Sequence, residues 1–259
     1  MIVLDRVHYR YPDAGPALSD ISLRIEAGER VVLLGANGCG KSTLLKLLNG
    51  LLSPGSGSIH YQDACLDARR LADKAWCRRF RREVTLLFQQ PDAMLFNPTV
   101  LEEIAYGRRD LPETARQALA REWALRVGLD EAQLESPPFR LSGGQKQRLC
   151  LAAVLILEPK LLLMDEPTAN LDPRGTGWLI DFLLDLSAVT TVISTHNLAL
   201  ARELGERAII LGDDGRIAYD GPLEPALADT ELLYRANLAH RHRHRRGGHS
   251  HIHSHADLS

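Results

Sequence analysis

One short stretch restricts what this chain can fold into more than any other. Residues 35–42 read GANGCGKS, which matches the pattern G-x-x-x-x-G-K-[ST]. The apolar run RVVLL (residues 30–34) precedes it, and leucines at helical spacing follow it from Lys41 onward. Strand, glycine-rich loop and helix, in this order, are the setting in which the pattern binds phosphate. The sequence therefore predicts an α/β core with a phosphate-binding loop.

The residue types of this loop explain how it would hold an anion. Glycines let the backbone curl until several N–H groups converge, and the helix that begins at Lys41 adds the positive end of its dipole. We expect Lys41 to reach the β- and γ-phosphates of a nucleotide and Ser42 to hold Mg²⁺ through its hydroxyl. The predicted nucleotide ligands are Gly35, Asn37, Gly38, Cys39, Gly40, Lys41, Ser42 and Thr43.

A second stretch supplies the expected catalytic acids. Residues 161–166 read LLLMDE, four aliphatic residues followed by two carboxylates. A buried strand would deliver Asp165 to the magnesium and Glu166 beside the γ-phosphate. Glu166 would then polarise the attacking water as general base.

Composition and charge limit the classes of protein to which the chain can belong. The chain has 259 residues, is 45% hydrophobic and 25% charged, and has a formal net charge of −2, which is typical of a soluble globular protein and gives no reason to expect a nucleic-acid partner. Its four cysteines lack metal-type spacing and no signal peptide begins the chain, so we expect reduced thiols in a cytosolic protein. The longest apolar run, residues 149–157, is shorter than the roughly 18 residues of a membrane span, so another chain must supply any spanning part.

The remaining pattern divides the chain into strands and helices. Residues 1–12 and 21–29 alternate like antiparallel strands, and residues 207–221 read as a hairpin that turns at Asp213-Asp214-Gly215. Residues 84–89, 161–167 and 191–195 read as further strands. Between residues 91 and 158 the pattern is helical with no clear strand, which indicates a helical insert in the α/β core.

Several further motifs, in order along the chain, resemble those of one family. Leu141-Ser142-Gly143-Gly144-Gln145 stands about twenty residues before Asp165, and this LSGGQ sequence resembles the signature of the ATP-binding subunits of ABC transporters. The resemblance covers roughly residues 1–225. Its other motifs are YRYP with Tyr11, FQQ with Gln89, ANLD at residues 169–172, and STH with His196.

This resemblance implies a fold and a set of partners. The expected fold is a P-loop NTPase (RecA-like) core with an antiparallel β subdomain and a helical signature subdomain, an ATPase domain over residues 1–235 with the helical part at about 91–158. Two copies would stack head to tail around ATP at the cytoplasmic face of a membrane. Their partners would be a transmembrane coupling protein and a substrate-binding membrane protein.

The resemblance also implies roles for individual residues. Tyr11 would stack on adenine, and His196 would contact the γ-phosphate. Gln89 would link the magnesium to the transmembrane partner. Ser142, Gly143, Gly144 and Gln145 would contact the γ-phosphate held by the other copy.

Residues 88–107, FQQPDAMLFNPTVLEEIAYG, narrow the resemblance. They look like the corresponding region of energy-coupling-factor importers, especially the cobalt and nickel branch, which typically reads F-Q-x-P-D-D-Q-L-F. The chain departs from that pattern at Ala93 and Met94, where the family usually has Asp and Gln. Gln89 is retained, so its expected catalytic role is unaffected by the changes at Ala93 and Met94. These changes remove only a contribution that a second glutamine would make.

The C-terminal segment, residues 236–259, is expected to be a flexible, histidine-rich tail. Seven of the ten histidines lie between His240 and His255, nearly all at alternate positions. Neutral imidazole is a good ligand for Ni²⁺, Co²⁺ and Zn²⁺. Arginines would repel a cation from the first half, so the candidate ligands are His249, His251, His253 and His255. A solvated extension or an expression tag is the alternative interpretation.

These features favour the ATPase subunit of a cobalt or nickel importer. The same subunit could instead serve a vitamin or another small solute. A third hypothesis is an ABC-type protein that works on DNA or ribosomes without transport. Such proteins usually carry a long coiled-coil insertion or two fused ATPase domains, and this sequence shows neither.

Overall fold

The computed structural model describes residues 1–13, 15–186, 189–243 and 250–254, with the backbone alone for residues 240–243 and 250–254. The chain divides into two compact units. Unit 1 comprises residues 1–74 together with 190–259, and unit 2 comprises residues 75–189.

The secondary structure alternates between strands and helices for most of the described chain. The strands are β1 (Ile2–Arg10), β2 (Pro16–Ile25), β3 (Arg30–Leu34), β4 (Ser56–Tyr61), β5 (Ala64–Cys65), β6 (Val84–Leu87), β7 (Leu161–Asp165), β8 (Thr190–Thr195), β9 (Arg207–Leu211), β10 (Ile217–Pro222), β11 (Ala239–Arg243) and β12 (Ser250–Ser254). The α-helices are α1 (Lys41–Leu48), α2 (Ala68–Ala72), α3 (Lys74–Glu83), α4 (Val100–Ala105), α5 (Glu113–Arg126), α6 (Glu131–Leu134), α7 (Gly143–Leu155), α8 (Pro173–Asp185), α9 (Leu198–Leu204), α10 (Leu223–Ala228) and α11 (Thr230–Arg235). Short 3-10 helices lie at Pro91–Ala93, Tyr106–Arg108 and Pro138–Arg140.

Unit 1 contains an antiparallel sheet with the strand order β2-β1-β4-β5. Ile2 is opposite Ile25 on one side and Tyr61 on the other, and all three side chains are buried. Alternate residues of these strands face the core because side chains in a strand point to opposite faces of the sheet in turn. The antiparallel pairing predicted for the first two segments is therefore confirmed.

The strands that position the phosphate loop belong to a second sheet of unit 1. There β3 pairs in parallel with both β8 and β9, and β10 runs antiparallel to β9. Val31 to Leu34 are fully buried, as expected for the continuous apolar strands of a parallel sheet. The predicted hairpin is present, and Gly215 has a φ of +71° in its turn.

Unit 2 consists mostly of helices, with the two parallel strands β6 and β7 in register from Val84 and Leu161 to Leu87 and Met164. Between residues 91 and 158, all of which are described, there is no strand, which agrees with the predicted helical segment. Unit 2 is longer than that segment, because it also contains α3 from its second residue onward, β6, β7 and α8.

The C-terminal segment differs from the expected flexible tail in the part that the structure describes. Ala236, Leu238 and Ala239 are buried in the core cluster that contains Leu232 and Leu233, because they are apolar and follow directly on α11. Further on, β11 and β12 form an antiparallel pair in which His240 is opposite His253 and His242 is opposite His251. Two of the candidate metal ligands, His249 and His255, lie outside the described residues.

Candidate nucleotide site

The loop after β3 has a backbone that only glycine fits well. Gly35, Gly38 and Gly40 have φ values of +148°, +85° and +107°, a region that side chains disfavour. A Cβ atom on Gly35 would lie 2.5 Å from the Sγ of Cys39, and one on Gly40 would lie 2.7 Å from the carbonyl oxygen of Ala17. The loop is therefore a curled backbone cradle that ends at the start of α1.

Lys41 lies over this cradle. Its Nζ donates to the carbonyl oxygens of Gly35, at 2.7 Å, and Ala36, at 3.0 Å. The side chain is buried, with 6% of its surface exposed. A buried ammonium, converging backbone and a helix start together fit a bound phosphate chain, so the residues present suit a nucleoside triphosphate.

Cys39 contributes an unusual side chain to the loop. The residue is 4% exposed, and burial raises the pKa of its thiol above the ordinary range, against the opposing effect of the Lys41 charge. Cys39 is therefore protonated at neutral pH and behaves as a small apolar side chain.

Tyr11 is joined to the first turn of α1. Its hydroxyl lies 3.2 Å from the Oγ1 of Thr43, and its ring meets that of Tyr9 edge to face at 5.0 Å between centroids. The structure therefore brings Tyr11 to the phosphate loop. The contact with Thr43 has no signature in the sequence beyond the two residues themselves.

His196 stands at the same edge of the unit 1 sheet as the loop. It follows β8 directly and is exposed. The last residue of β8, Thr195, is in register with Leu34, the last residue of β3. Parallel strands end at a common edge, where α/β proteins bind their ligands. Unit 1 thus gathers residues 35–43, Tyr11 and His196.

Asp165, Glu166 and Gln89 lie at the carboxyl ends of the two parallel strands of unit 2. Asp165 ends β7 and Gln89 follows β6, and the register pairs Leu87 with Met164. Asp165 and Glu166 are buried, whereas Gln89 is exposed. Glu166 has a φ of +44°, a strained value for a residue with a side chain that costs on the order of 1 kcal/mol or more and is most common at functional sites.

Asn170 links two of the predicted motifs within unit 2. Its Nδ2 donates to the carbonyl oxygen of Gln89 at 2.9 Å. The ANLD segment is thereby tied to the backbone of the glutamine loop. Sequence reasoning identified both segments but not this bond, because the partner is a backbone carbonyl about eighty residues away.

The LSGGQ segment forms the start of α7. Ser142 is the N-cap residue: its Oγ accepts from the backbone N–H of Gln145 at 3.3 Å, and the side chain of Gln145 accepts from the N–H of Ser142 at 2.9 Å. This reciprocal pair fixes the first helical turn. Gly143 and Gly144 add no side chains there, so the helix start can approach an anion closely.

The segment after Gln89 is held by a buried carboxylate that the sequence did not reveal. Glu103 is 4% exposed and accepts from the backbone N–H groups of Phe96, at 2.8 Å, and Asn97, at 2.7 Å, and from the Asn97 amide at 3.1 Å. At Met94, one of the two departures from the importer pattern, the sulfur accepts from the N–H of Phe88 at 3.5 Å.

Next to this segment, unit 2 has an open cavity of about 310 Å³. Tyr106 (41% exposed) lines it, and the ring of Phe96 (66% exposed) meets the Tyr106 ring edge to face at 4.8 Å. The guanidinium of Arg109 lies 4.1 Å from the Tyr106 ring centroid. Two exposed aromatic rings at a cavity are typical of a surface that another protein covers.

The glycine cradle with its lysine, at the edge of a parallel sheet, defines a P-loop nucleotide-binding protein. The chain belongs to the ABC transporter family, because the family model described as "ABC transporter" matches residues 18–169. It is an ABC-type ATPase, and proteins of this family bind ATP with Mg²⁺. No helix in the part of the chain that the structure describes is both long and apolar enough to cross a bilayer.

Individual relatives give a finer comparison. The chain is 38% identical to the energy-coupling factor transporter ATP-binding protein EcfA of Methanothermobacter thermautotrophicus, over 92% of this chain and 76% of that protein. The structure is similar to CbiO1 from Clostridium perfringens, part of the ABC transporter complex CbiONQ, with a TM-score of 0.75, 31% identity and coverage of 92% and 94%. It is also similar to the ATP-binding cassette MJ0796, a dimer with bound ADP and Pi, with a TM-score of 0.75, 30% identity and coverage of 86% and 99%.

Among the described residues, no group of three or more His, Cys, Asp or Glu side chains could hold a metal ion. The histidine-rich segment is not covered by this finding, because side chains beyond Ala239 are not described.

Proposed function

We propose that this protein is the ATP-hydrolysing subunit of an energy-coupling-factor importer for cobalt or nickel ions, peripheral to the cytoplasmic face of the membrane. The observation that carries the ATPase core of the proposal is the glycine cradle capped by Lys41. The importer class is supported by residues 88–107 and by the similarity to EcfA and CbiO1. The choice of metal rests on the importer pattern and the histidine-rich segment.

Phosphate binding is assigned to unit 1. Residues 35–43 surround the phosphates with N–H groups, and Lys41 leaves the carbonyls of Gly35 and Ala36 to bind the β- and γ-phosphates. Tyr11 stacks on the base and His196 contacts the γ-phosphate. Ser42 is the proposed magnesium ligand of this unit, and bound Mg²⁺ supplies neutralisation of the phosphate charge.

Water activation is assigned to unit 2. Glu166 accepts a proton from the attacking water as general base. Asp165 and Gln89 are the proposed magnesium ligands of this unit. The bond from Asn170 to the carbonyl of Gln89 holds the glutamine loop against the ANLD segment, so the position of Gln89 follows that of the segment around residue 170.

The proposed second copy of the chain contributes its LSGGQ segment. The capped start of α7, with Ser142, Gly143, Gly144 and Gln145, offers N–H groups and a hydroxyl to a γ-phosphate. In this proposal ATP joins two protomers head to tail, and hydrolysis lets them separate. The similarity to a cassette that forms a dimer supports the arrangement.

The proposed surface for the transmembrane coupling protein is the cavity beside Phe96 and Tyr106. Exposed aromatic rings favour burial against a partner, and Glu103 fixes the loop that carries Phe96. The same loop follows Gln89 in the chain, so movement of the partner can reach the glutamine through it.

The histidine-rich segment is the proposed transition-metal site, with His249, His251, His253 and His255 as ligands. Deletion of residues 240–259 should leave the ATPase activity of the purified subunit largely intact and should remove Ni²⁺ or Co²⁺ binding measured by titration calorimetry. Binding should weaken below about pH 6.5, because protonated imidazole cannot ligate a metal. Equal binding by the truncated protein would contradict the site.

The matched comparison replaces two sets of histidines by Ala. Loss of His249, His251, His253 and His255 should cost more affinity than loss of His240, His242 and His244, because arginines flank the second set. An equal or larger loss from the second set would reassign the ligands, since the strand register pairs His240 with His253 and His242 with His251.

Purification with intact membranes tests the function as a whole. The tagged subunit should co-purify with small hydrophobic membrane proteins, and the complex should show ATP-dependent uptake of Co²⁺ or Ni²⁺ in vesicles. Uptake of a different small solute by the same complex would keep the ATPase role and replace the substrate. Isolation without any membrane protein would contradict the transport role.

A further inference from the structure

Positive charge is concentrated in one short segment of the chain. Seven of the fourteen residues from 69 to 82 are Lys or Arg, and only Asp73 among them is acidic. The whole chain has a net charge of −2, so its overall charge would not draw it to an anionic surface. A local concentration of this kind can do so over distances up to a Debye length.

Helix α3 presents part of this charge on one exposed face. Lys74, Arg78 and Arg81 recur at spacings of four and three residues, which places them on the same side of the helix, and all three are exposed. The opposite side carries Phe80, which is 1% exposed, and Trp76, whose ring stacks on that of Phe80 at 5.1 Å. Packing of the aromatic side fixes which side faces solvent.

The basic residues on the exposed face of α3 differ from the one on its flank in their ion pairs. On the flank, Arg82 pairs with Asp110 at 3.4 Å and with Glu158 at 3.5 Å. On the exposed face, the Nε of Arg81 donates to the sulfur of Cys77 at 3.3 Å. Lys74 and Arg78 form no ion pair within the part of the chain that the structure describes. Like charges at this spacing repel each other and destabilise a helix, so the face is suited to an external anion.

We propose that the face formed by Lys74, Arg78 and Arg81, the cationic face, binds anionic lipid headgroups at the membrane surface. The inference rests on the proposed peripheral location at the membrane, and it is independent of the transported substrate. A bilayer offers many phosphodiester groups in a plane, which suits several cations in a row. Each Lys or Arg close to an anionic leaflet strengthens binding about fivefold, so the contact adds to docking on a membrane protein partner.

Vesicle co-sedimentation of the full chain tests the contact without a membrane protein. The wild type should bind vesicles of phosphatidylcholine mixed with phosphatidylglycerol, and should not bind phosphatidylcholine alone. Raising the salt concentration should release it, because ions screen the attraction. The double variant Arg78→Gln/Arg81→Gln should bind the anionic vesicles about 25-fold more weakly, the product of two fivefold losses.

A matched control changes the same charge elsewhere. Arg126 and Arg235 are exposed and lie on other helices, so Arg126→Gln/Arg235→Gln should bind vesicles like the wild type. Both double variants should retain the basal ATPase activity, which shows that they are folded. Equal loss in the two double variants would overturn the proposal, because only net charge would then matter.

Polyglutamate and a single-stranded oligonucleotide serve as competing polyanions. If either binds through Arg78 and Arg81 while the anionic vesicles do not bind, the cationic face serves another ligand and the lipid proposal is wrong. Failure of the wild type to bind anionic vesicles would overturn the lipid proposal and leave the ATPase and transport roles untouched. Loss of transport with vesicle binding retained would contradict the transport role and leave the lipid proposal untouched.

Discussion

The ammonium of Lys41 lies 2.7 Å from the carbonyl oxygen of Gly35, the first residue of the loop that it would serve. The lysine is thus held by the backbone of its own loop, and in the proposed role it would exchange this partner for phosphate when a nucleotide binds. Because the side chain is buried, its shape matters as well as its charge.

Lys41→Arg should therefore weaken ATP binding by roughly 100-fold, since about 3 kcal/mol of charge-assisted hydrogen bonding is lost or misdirected. Fluorescent-nucleotide titration measures the effect. Lys46→Arg, in the last turn of the same helix, is the control and should bind ATP normally. Wild-type affinity in Lys41→Arg would mean that an arginine can take the place of the buried lysine, so that the charge alone, and not the shape of the side chain, matters for ATP binding.

Glu166→Gln should keep ATP binding and lose roughly 10²- to 10⁴-fold in turnover, because an amide cannot accept the proton of the attacking water. The variant should accumulate as an ATP-bound dimer in size-exclusion chromatography. Glu203→Gln, on the exposed side of α9, is the control for a loss of one carboxylate. Normal turnover in Glu166→Gln would remove the general-base role.

Modification of Cys39 should block the phosphate loop, but slowly. A maleimide adduct would fill the space that the phosphates need, yet the thiol is buried and its pKa is raised by that burial, so little reactive thiolate exists at neutral pH. The inactivation rate should rise about tenfold per pH unit below the raised pKa. ATP should protect, and Cys39→Ser should be insensitive. Equal inactivation of Cys39→Ser would assign the effect to Cys65, Cys77 or Cys150.

Glu103→Gln should lower the free energy of unfolding by about 2 kcal/mol, because one of the two carboxylate oxygens that accept from Phe96 and Asn97 becomes an NH₂ donor and the negative charge is lost. Glu102→Gln is the matched control on the same helix, and it should change stability by less than about 0.5 kcal/mol because Glu102 is exposed. Urea unfolding of both variants measures this difference in the free energy of unfolding. Similar values for the two would mean that the buried contacts of Glu103 contribute little.

Cys150 should make stability fall at alkaline pH. Burial, followed by the charges of Glu103 and Asp92 and against that of Lys146, raises the pKa of its thiol to about 12 from an ordinary 9.0. The contribution is complete below about pH 9. Above that pH the unfolded chain releases this proton and the folded chain keeps it, so the free energy of unfolding falls by up to about 1.4 kcal/mol per pH unit.

Cys150→Ala removes this titration and should give a shallower decline between about pH 9 and about pH 10.5 in urea unfolding. The comparison is between slopes, so the constant cost of the smaller side chain does not affect it. Identical slopes would mean that the thiol titrates alike in the folded and unfolded chains.

The chemistry of the phosphate loop and its secondary-structure setting could be predicted from local sequence alone. Gly35, Gly38, Gly40 and Lys41 could be identified because a backbone cradle requires glycines at fixed spacing, and that requirement is local. The strand before the loop and the helix after it followed from hydrophobic periodicity, which is also local. The LSGGQ segment was identified by its resemblance to the family signature, whereas the capping box between Ser142 and Gln145 was found in the structure.

Contacts between groups that are far apart in the chain could not be predicted in this way, because they form only when the chain folds. Asn170 bonds to the backbone of Gln89, and Tyr11 meets Thr43, through contacts that no local pattern encodes. The burial of Glu103, the left-handed backbone of Glu166 and the packing of Leu238 against the core likewise depend on neighbours brought in by folding. Local sequence patterns specify motifs and secondary-structure elements, whereas burial and long-range hydrogen bonds arise when these elements pack together.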